Sequence, residues 1–231
     1  MTAPVATIVL AKAPVPGRAK TRLCPPATAE QAAGLAAAAL LDTLDAVRAM
    51  PGARPVVSFT GERSDAVLAE ELHAVLDVVD VVEQRGDSLG ERIAAAHSDT
   101  SALHPGLPTL LIGMDTPQVS AALLDECART LRAPGNDAVL GPATDGGWWL
   151  LGLRDPRRAD LLADVPMSRD DTGARTLEVL RAAGLRVGVV GELTDVDTAA
   201  EAVEVAALIP GSRFADRVDA LSSALTAASP A

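Results

Sequence analysis

Short, continuously apolar runs alternate with longer Ala- and Leu-rich stretches along this chain, and that alternation leaves few folds open to it. Residues 6–13, 54–60, 78–83, 109–114, 137–140, 148–153 and 186–190 read as strands. Between and after them, 28–50, a segment ending near 75, 88–98, 120–131, 173–183, 198–208 and 212–227 read as helices. Thr28 with Gln31, and Thr198 with Glu201, have the spacing of a capping box, in which side chain and backbone satisfy each other at a helix start. Strands apolar on both faces and separated by helices predict an α/β fold, a mostly parallel central sheet with helices on both faces. No repeat or linker divides residues 1–231, so a single domain is expected. Ligands of such sheets bind outside the carboxyl ends of the strands, which directs attention to the segments that follow each strand.

The net charge of −11 argues against nucleic acid as a partner and against an anionic membrane surface, both of which call for a basic face. No apolar run approaches the ~20 residues of a spanning helix. Residues 1–11 carry neither a basic n-region nor a full h-region, so no signal peptide is read there. Cys24 and Cys127, far apart in such a chain, are expected to be free thiols. These features together predict a cytoplasmic protein.

Against that acidic background, residues 1–29 contain Lys12, Arg18, Lys20 and Arg22 and no carboxylate; Glu30 is the first acidic residue. Pro14, Pro16 and Gly17 keep this segment from continuing as strand or helix, so it becomes a fixed loop after the first strand. Guanidinium and ammonium groups held there suit a di- or triphosphate. The plain alternative is a solvated basic loop. Ala19 and Pro14 stand where a Walker A loop needs glycine, and no G-x-G-x-x-G follows the strand, so those two modes of phosphate binding are set aside.

Three acidic positions follow later strands. Asp115, in Gly113-Met-Asp-Thr-Pro117, ends a strand where Pro117 turns the chain; it can anchor Mg²⁺ or cap the next helix, a role for which Ser120 is better placed. Asp195 and Asp197 flank Val196, and in extended backbone both face one side. Asp195 is the better second metal ligand, while Asp197 either joins it or supports the helix that Thr198 caps. Asp145 opens Asp145-Gly-Gly-Trp-Trp149, where Gly146 and Gly147 let backbone approach a ligand. Asp145 can orient or deprotonate an acceptor hydroxyl, or hold a turn. Of Trp148 and Trp149, alternation turns one to the core and leaves the other to wall a sugar or base. In 84–92, Gly86, Asp87 and Gly90 form a tight turn where a base-binding loop would lie, and Arg92 is a further phosphate candidate. Ser168–Thr172 reads as a polar loop on the acceptor side. His73, His97 and His104 lack metal-ligand spacing and are expected on the surface.

In order along the chain, Lys12-Ala-Pro-Val-Pro-Gly-Arg-Ala-Lys-Thr-Arg-Leu23, Gln84 to Arg92, Gly113-Met-Asp-Thr-Pro117, Gly141 to Gly152 and Asp195-Val-Asp-Thr198 resemble the rSAM/selenodomain-associated transferase family. That family is related to nucleotide-diphospho-sugar transferases and to the guanylyltransferases of deazaflavin cofactor biosynthesis. The resemblance implies a Rossmann-like GT-A fold, a nucleotide or nucleotide-sugar substrate with a small-molecule acceptor, and Mg²⁺ or Mn²⁺ on Asp115 and Asp195. Two positions depart from the pattern: Met167-Ser168 replaces a usual Trp-Ser pair, and Asp115-Thr116 lacks the Asp-x-Asp of GT-A glycosyltransferases.

The expected site therefore has Lys20, Asp115 and Asp145 as catalytic residues. Lys12, Gly17, Arg18, Lys20, Arg22, Gly86 and Arg92 serve the phosphates and nucleotide, and Gly146, Gly147, Trp148 and Ser168 the acceptor. Glycosyl transfer is the first expectation, nucleotidyl transfer the second, and a nucleotide-binding module without turnover the third.

Overall fold

The computed structural model describes residues 3–221. Its strands follow the apolar runs: β1 Val5–Lys12, β2 Ala53–Thr60, β3 Asp80–Glu83, β4 Thr109–Gly113, β5 Ala138–Pro142, β6 Trp148–Leu153 and β7 Val187–Val189. The helices are α1 Ala29–Ala49, α2 Ala69–Leu76, α3 Leu89–Leu103, α4 Ala121–Arg132, α5 Thr172–Ala182, α6 Ala199–Leu208 and α7 Arg213–Ala220. Both capping boxes are formed, at Thr28/Gln31 and Thr198/Glu201, and Ser88 with Glu91 makes a third at the start of α3. Residues 222–227 of the last expected helix lie outside the described residues.

The seven strands form one sheet in the order β3-β2-β1-β4-β6-β5-β7. Only β6 runs against its neighbours, pairing antiparallel with β4 and β5. The sheet has helices on both faces because β1 alternates: Val5, Val9 and Ala11 join one cluster, Ile8 the other. α1, α2 and α4 supply Leu40, Leu72 and Leu124 to the first; α3, α5 and the short 3-10 segment Pro156–Leu162 supply Ile93, Leu180 and Leu162 to the second. A third cluster ties the outer side of α1 to α6 and α7 through Leu35, Val205 and Phe214. Cys24 and Cys127 are free thiols, and no described helix is long and apolar enough to cross a membrane.

This topology fixes where chemistry can occur. β1 to β5 and β7 all end on one rim, and the antiparallel β6 begins there. From β1 the chain winds outward to β2 and β3, then returns to place β4 on β1's other side. The crevice between the ends of β1 and β4 is thus the topological switch point, flanked by Lys12 and Asp115.

One histidine expectation is corrected. His97, on α3, is fully buried, with Nδ1 2.8 Å from Thr109 Oγ1 and with no partner for Nε2 among the described residues. Its neighbours at 93, 94 and 96 are all core residues, so the helical face that carries it turns inward. His73 and His104 are half-buried, and His104 Nε2 lies 3.0 Å from Asp80 Oδ2. Burial pushes the His97 pKa down to about 3, whereas the unfolded chain titrates near 6.5. Between those values the unfolded state binds a proton that the native state refuses, so stability falls as pH drops from about 6.5 towards 3. The loss reaches on the order of 4 kcal/mol at the foot of that window. Melting curves across this range should show His97→Leu declining less steeply than the parent; parallel declines would assign the acid sensitivity elsewhere.

Candidate functional site

The site begins with a lysine held between two carboxylates. Lys20, in left-handed backbone (φ 49°) at the head of a 3-10 turn, points inward with 9% of its side chain exposed. Its Nζ lies 3.0 Å from Asp115 Oδ2 and 2.9 Å from Asp197 Oδ1. Burial works against the ammonium charge, but the two aspartates outweigh it and hold the pKa above the usual lysine value. Arg22 Nη1 reaches Asp197 Oδ2 at 3.1 Å, and these two cations hold the Asp197 carboxyl below its usual range despite partial burial. Asp197 is therefore chiefly the clasp of the cationic loop, a role its place before a helix did not reveal.

Backbone pairing draws the remaining carboxylates in. The chain after β7 runs beside the end of β5, with Leu193 N donating to Pro142 O at 3.1 Å and Thr144 N to Leu193 O at 3.0 Å. It then crosses to β4, where Val196 N donates to Asp115 O at 3.0 Å and Gln118 Nε2 to Thr194 O at 2.6 Å. Val196 is 1% exposed, while Asp195 and Asp197 both face a cavity, as their alternation requires. Asp195 feels burial first, then the charges of Asp115 and Asp145, and its pKa is pushed up to about 7. Asp145 Oδ1 accepts from Gly147 N at 2.8 Å, so this residue does hold its own turn, and it also lines the cavity.

The cavity, about 660 Å³, spans the strand-end rim. Lys12, Arg22, Arg92, Asp115, Asp145, Gly147, Trp148, Ser168 and Asp195 all line it. A smaller pocket of about 160 Å³ opens beside it between Lys12, Lys20, Arg22, Asp115 and Asp197. Both tryptophans border the cavity, but Trp149 is 2% exposed and gives its Nε1 hydrogen to Gly191 O at 2.9 Å, so Trp148 is the half-buried one left open to a ligand.

The other expected residues stand elsewhere. Arg18 and Gly17 are exposed and line neither space; Gly17 (φ +75°) serves the turn that aims Lys20 inward. Gly86 (φ +119°) lines neither space either, but its carbonyl accepts from Arg92 Nε at 3.0 Å. Gly146 is a packing residue: a Cβ there would sit 1.9 Å from Asp170 O. Gln84, Arg169 and Asp170 line the cavity without having been assigned a role, although each lies in a segment that the sequence marked, and Met167, noted as a departure from the family pattern, lines it too.

Among the described residues no three His, Cys, Asp or Glu side chains converge closely enough to cage a cation by themselves. The donor set nonetheless fits Mg²⁺, which takes one or two carboxylates and completes its shell with phosphate and water. Burial first, and then the charges of Asp115 and Asp145, work against an ionised Asp195, and a divalent ion there would favour the carboxylate.

The same fold occurs in solved structures. A protein of Desulfovibrio desulfuricans G20 described as a nucleotide-diphospho-sugar transferase is 25% identical, with a TM-score of 0.81 over 97% of this chain and 98% of that one. The 4-diphosphocytidyl-2C-methyl-D-erythritol synthase of Anaerococcus prevotii DSM 20548 is 13% identical with a TM-score of 0.57 over 96% and 97% of the two chains. CMP:2-keto-3-deoxy-manno-octonic acid synthetase, in complex with CTP, is 12% identical with a TM-score of 0.56 over 90% and 98%. The architecture is thus the Rossmann-like nucleotide-diphospho-sugar transferase fold. No curated protein matches the sequence significantly. The model of a family described as "Uncharacterized protein conserved in bacteria (DUF2064)" matches residues 43–169, more than half of the chain and the part that holds Arg92, Asp115, Asp145 and Trp148, and the chain belongs to that family.

Proposed function

We propose that the protein is a nucleotide-dependent transferase that moves a glycosyl group from a nucleotide-diphospho-sugar to a small acceptor. The observation that carries this reading is the one cavity that Lys12, Arg22 and Arg92, the strand-end aspartates, and Asp145, Gly147 and Trp148 line together. Its volume lies in the range of small-molecule sites. The likeness to the Desulfovibrio protein, described as a nucleotide-diphospho-sugar transferase, supports the choice of donor.

Asp115 and Asp195 would hold a divalent cation, Mg²⁺ or Mn²⁺, which when bound supplies Lewis-acid neutralisation of the diphosphate oxygens. Lys12 and Arg22 bind the diphosphate and offset the charge that builds on the departing nucleotide. Lys20 keeps the loop docked on Asp115 and Asp197, so these cations are in position before substrate arrives. Asp145, with one oxygen fixed by Gly147 N, presents the other to an acceptor hydroxyl and takes its proton. Trp148 offers a flat apolar wall for the sugar ring.

A second reading, nucleotidyl transfer from an NTP to a small phosphorylated metabolite, is favoured by the lone strand-end Asp115 beside a Lys/Arg-rich loop. Incubation with Mg²⁺, labelled donors and a panel of acceptors separates the two. Acceptor-dependent release of nucleoside diphosphate is expected. Acceptor-dependent pyrophosphate release would replace glycosyl with nucleotidyl transfer, and tight donor binding without turnover would reduce the protein to a binding module.

A further inference from the structure

The two carboxylates assigned to a cation come from distant segments, and what ties those segments together sets how the pair is aimed. Asp195 lies on the stretch after β7, which outside the bridge of Leu193 with Ala143 belongs to no strand. Two hydrogen bonds hold it against the end of β4. Val196 N donates to Asp115 O at 3.0 Å, and Gln118 Nε2 donates to Thr194 O at 2.6 Å. These two backbone atoms belong to the peptide units on either side of the Asp195 Cα. Each unit is planar, so pinning the one before and the one after Cα fixes φ and ψ, and with them the direction of Cβ. The segment that carries Asp115 thus aims the Asp195 side chain.

One of the two pins is a side chain, and its surroundings suit it to little else. Pro117 and the bond from Val119 N to Thr116 O, 3.1 Å, make a turn that holds Gln118 beside residue 194. A flipped amide would set Oε1 against the Thr194 oxygen, so the contact dictates the orientation. Oε1 is buried and has no partner among the described residues, which leaves the bond to Thr194 O as the one the amide makes there. Packing alone would favour an apolar end over that unpaired oxygen. Among the described residues no other side chain bonds the backbone of residues 194–196. Gln118 lines neither the cavity nor the smaller pocket, so any effect on chemistry passes through Asp195.

We propose that Gln118 is a positioning residue for cation binding: its amide fixes the peptide before Asp195 so that this carboxylate meets the ion that Asp115 holds. The proposal rests on the reading of Asp115 and Asp195 as ligands of a divalent cation. Without the amide, the 194–195 peptide can turn about its neighbours and the Asp195 Cβ swings with it. The charges of the site and its cationic loop are untouched, so polyphosphate binding without metal is unaffected.

Mn²⁺ titration of the full chain, followed by paramagnetic resonance, tests this with Gln118→Met and Gln118→Leu, two ways of removing the donor. Both variants should bind Mn²⁺ about tenfold more weakly than the parent. Inorganic pyrophosphate, titrated calorimetrically in EDTA, should bind them with parental affinity. Ser120→Ala, which removes the α4 cap at Leu123 N, controls for loosening of the same loop and should leave Mn²⁺ affinity unchanged. Parental Mn²⁺ affinity in a folded Gln118 variant, or an equal loss in Ser120→Ala, would overturn the proposal. A matching loss of pyrophosphate affinity would do so too, as would failure of both Gln118 variants to fold. Absence of saturable Mn²⁺ binding by the parent, with or without pyrophosphate, would remove the cation reading itself, and this proposal with it.

Discussion

Asp115→Asn is expected to lower transfer by about 10³-fold while the protein stays folded. The fold should survive because Asp115 does not carry Lys20 alone: the ammonium keeps Asp197 Oδ1 at 2.9 Å, and the Asp115 backbone carbonyl still accepts from Val196 N. Asparagine also retains an oxygen that can reach Nζ. Stability should therefore drop by only about 1–3 kcal/mol. The proposed transfer calls for the carboxylate charge itself, which stands at the switch point where a polyphosphate and its cation would meet. Mn²⁺ binding followed by paramagnetic resonance should weaken in parallel, a readout independent of turnover. An Asn variant that melts near the parent's temperature and turns over within tenfold of it would exclude Asp115 from the chemistry.

The part of this site legible in the sequence was the part governed by local rules. Strand ends, capping boxes and the placement of loops after parallel strands follow from residue pattern, and that was enough to collect Lys12, Arg22, Arg92, Asp115, Asp145, Trp148 and Asp195 on one rim. Alternation likewise divided the two tryptophans, though not which one turned inward. What escaped were contacts whose partners lie far apart in the chain. Lys20 and Asp197 are separated by 177 positions; nothing local says that this lysine turns away from solvent while Arg18, two residues earlier, stays in it. The left-handed backbone of Lys20 makes that difference. His97 was misplaced for a related reason: a lone histidine on an Ala-rich helix gives no sign of which face meets the sheet. Gln84 opened a segment that the sequence marked, but the docking of its amide on Ala11 O and Ser58 O was not legible, because backbone oxygens of other strands leave no trace in residue identity.

Gly146→Ala should be the most disruptive single methyl in the site, costing roughly 2–4 kcal/mol of stability. Two effects combine there. Gly146 has φ +87°, a backbone region that alanine occupies only at a cost of about 1 kcal/mol. The added Cβ would also stand 1.9 Å from Asp170 O and 2.5 Å from Asp170 C, atoms of a main chain that cannot rotate away. The approach is reciprocal, since Gly173 N donates to Gly146 O at 2.8 Å and a Cβ on Gly173 would stand 2.5 Å from Gly147 O. The Asp145 turn and the segment before α5 are thus clamped backbone to backbone, and relief of the clash must move Ser168, Arg169 and Asp170 relative to Trp148. The functional consequence should be selective: acceptor KM rises while nucleotide affinity, set on the β1–β4 side, holds. Gly184→Ala is the control, because Gly184 shares the positive φ (+82°) and a Cβ there meets nothing within 4 Å among the described residues. That variant should lose only the backbone contribution. If the two variants melt at the same temperature, the clamp between residues 146 and 170 contributes nothing, and the acceptor side of the cavity must be held by other contacts.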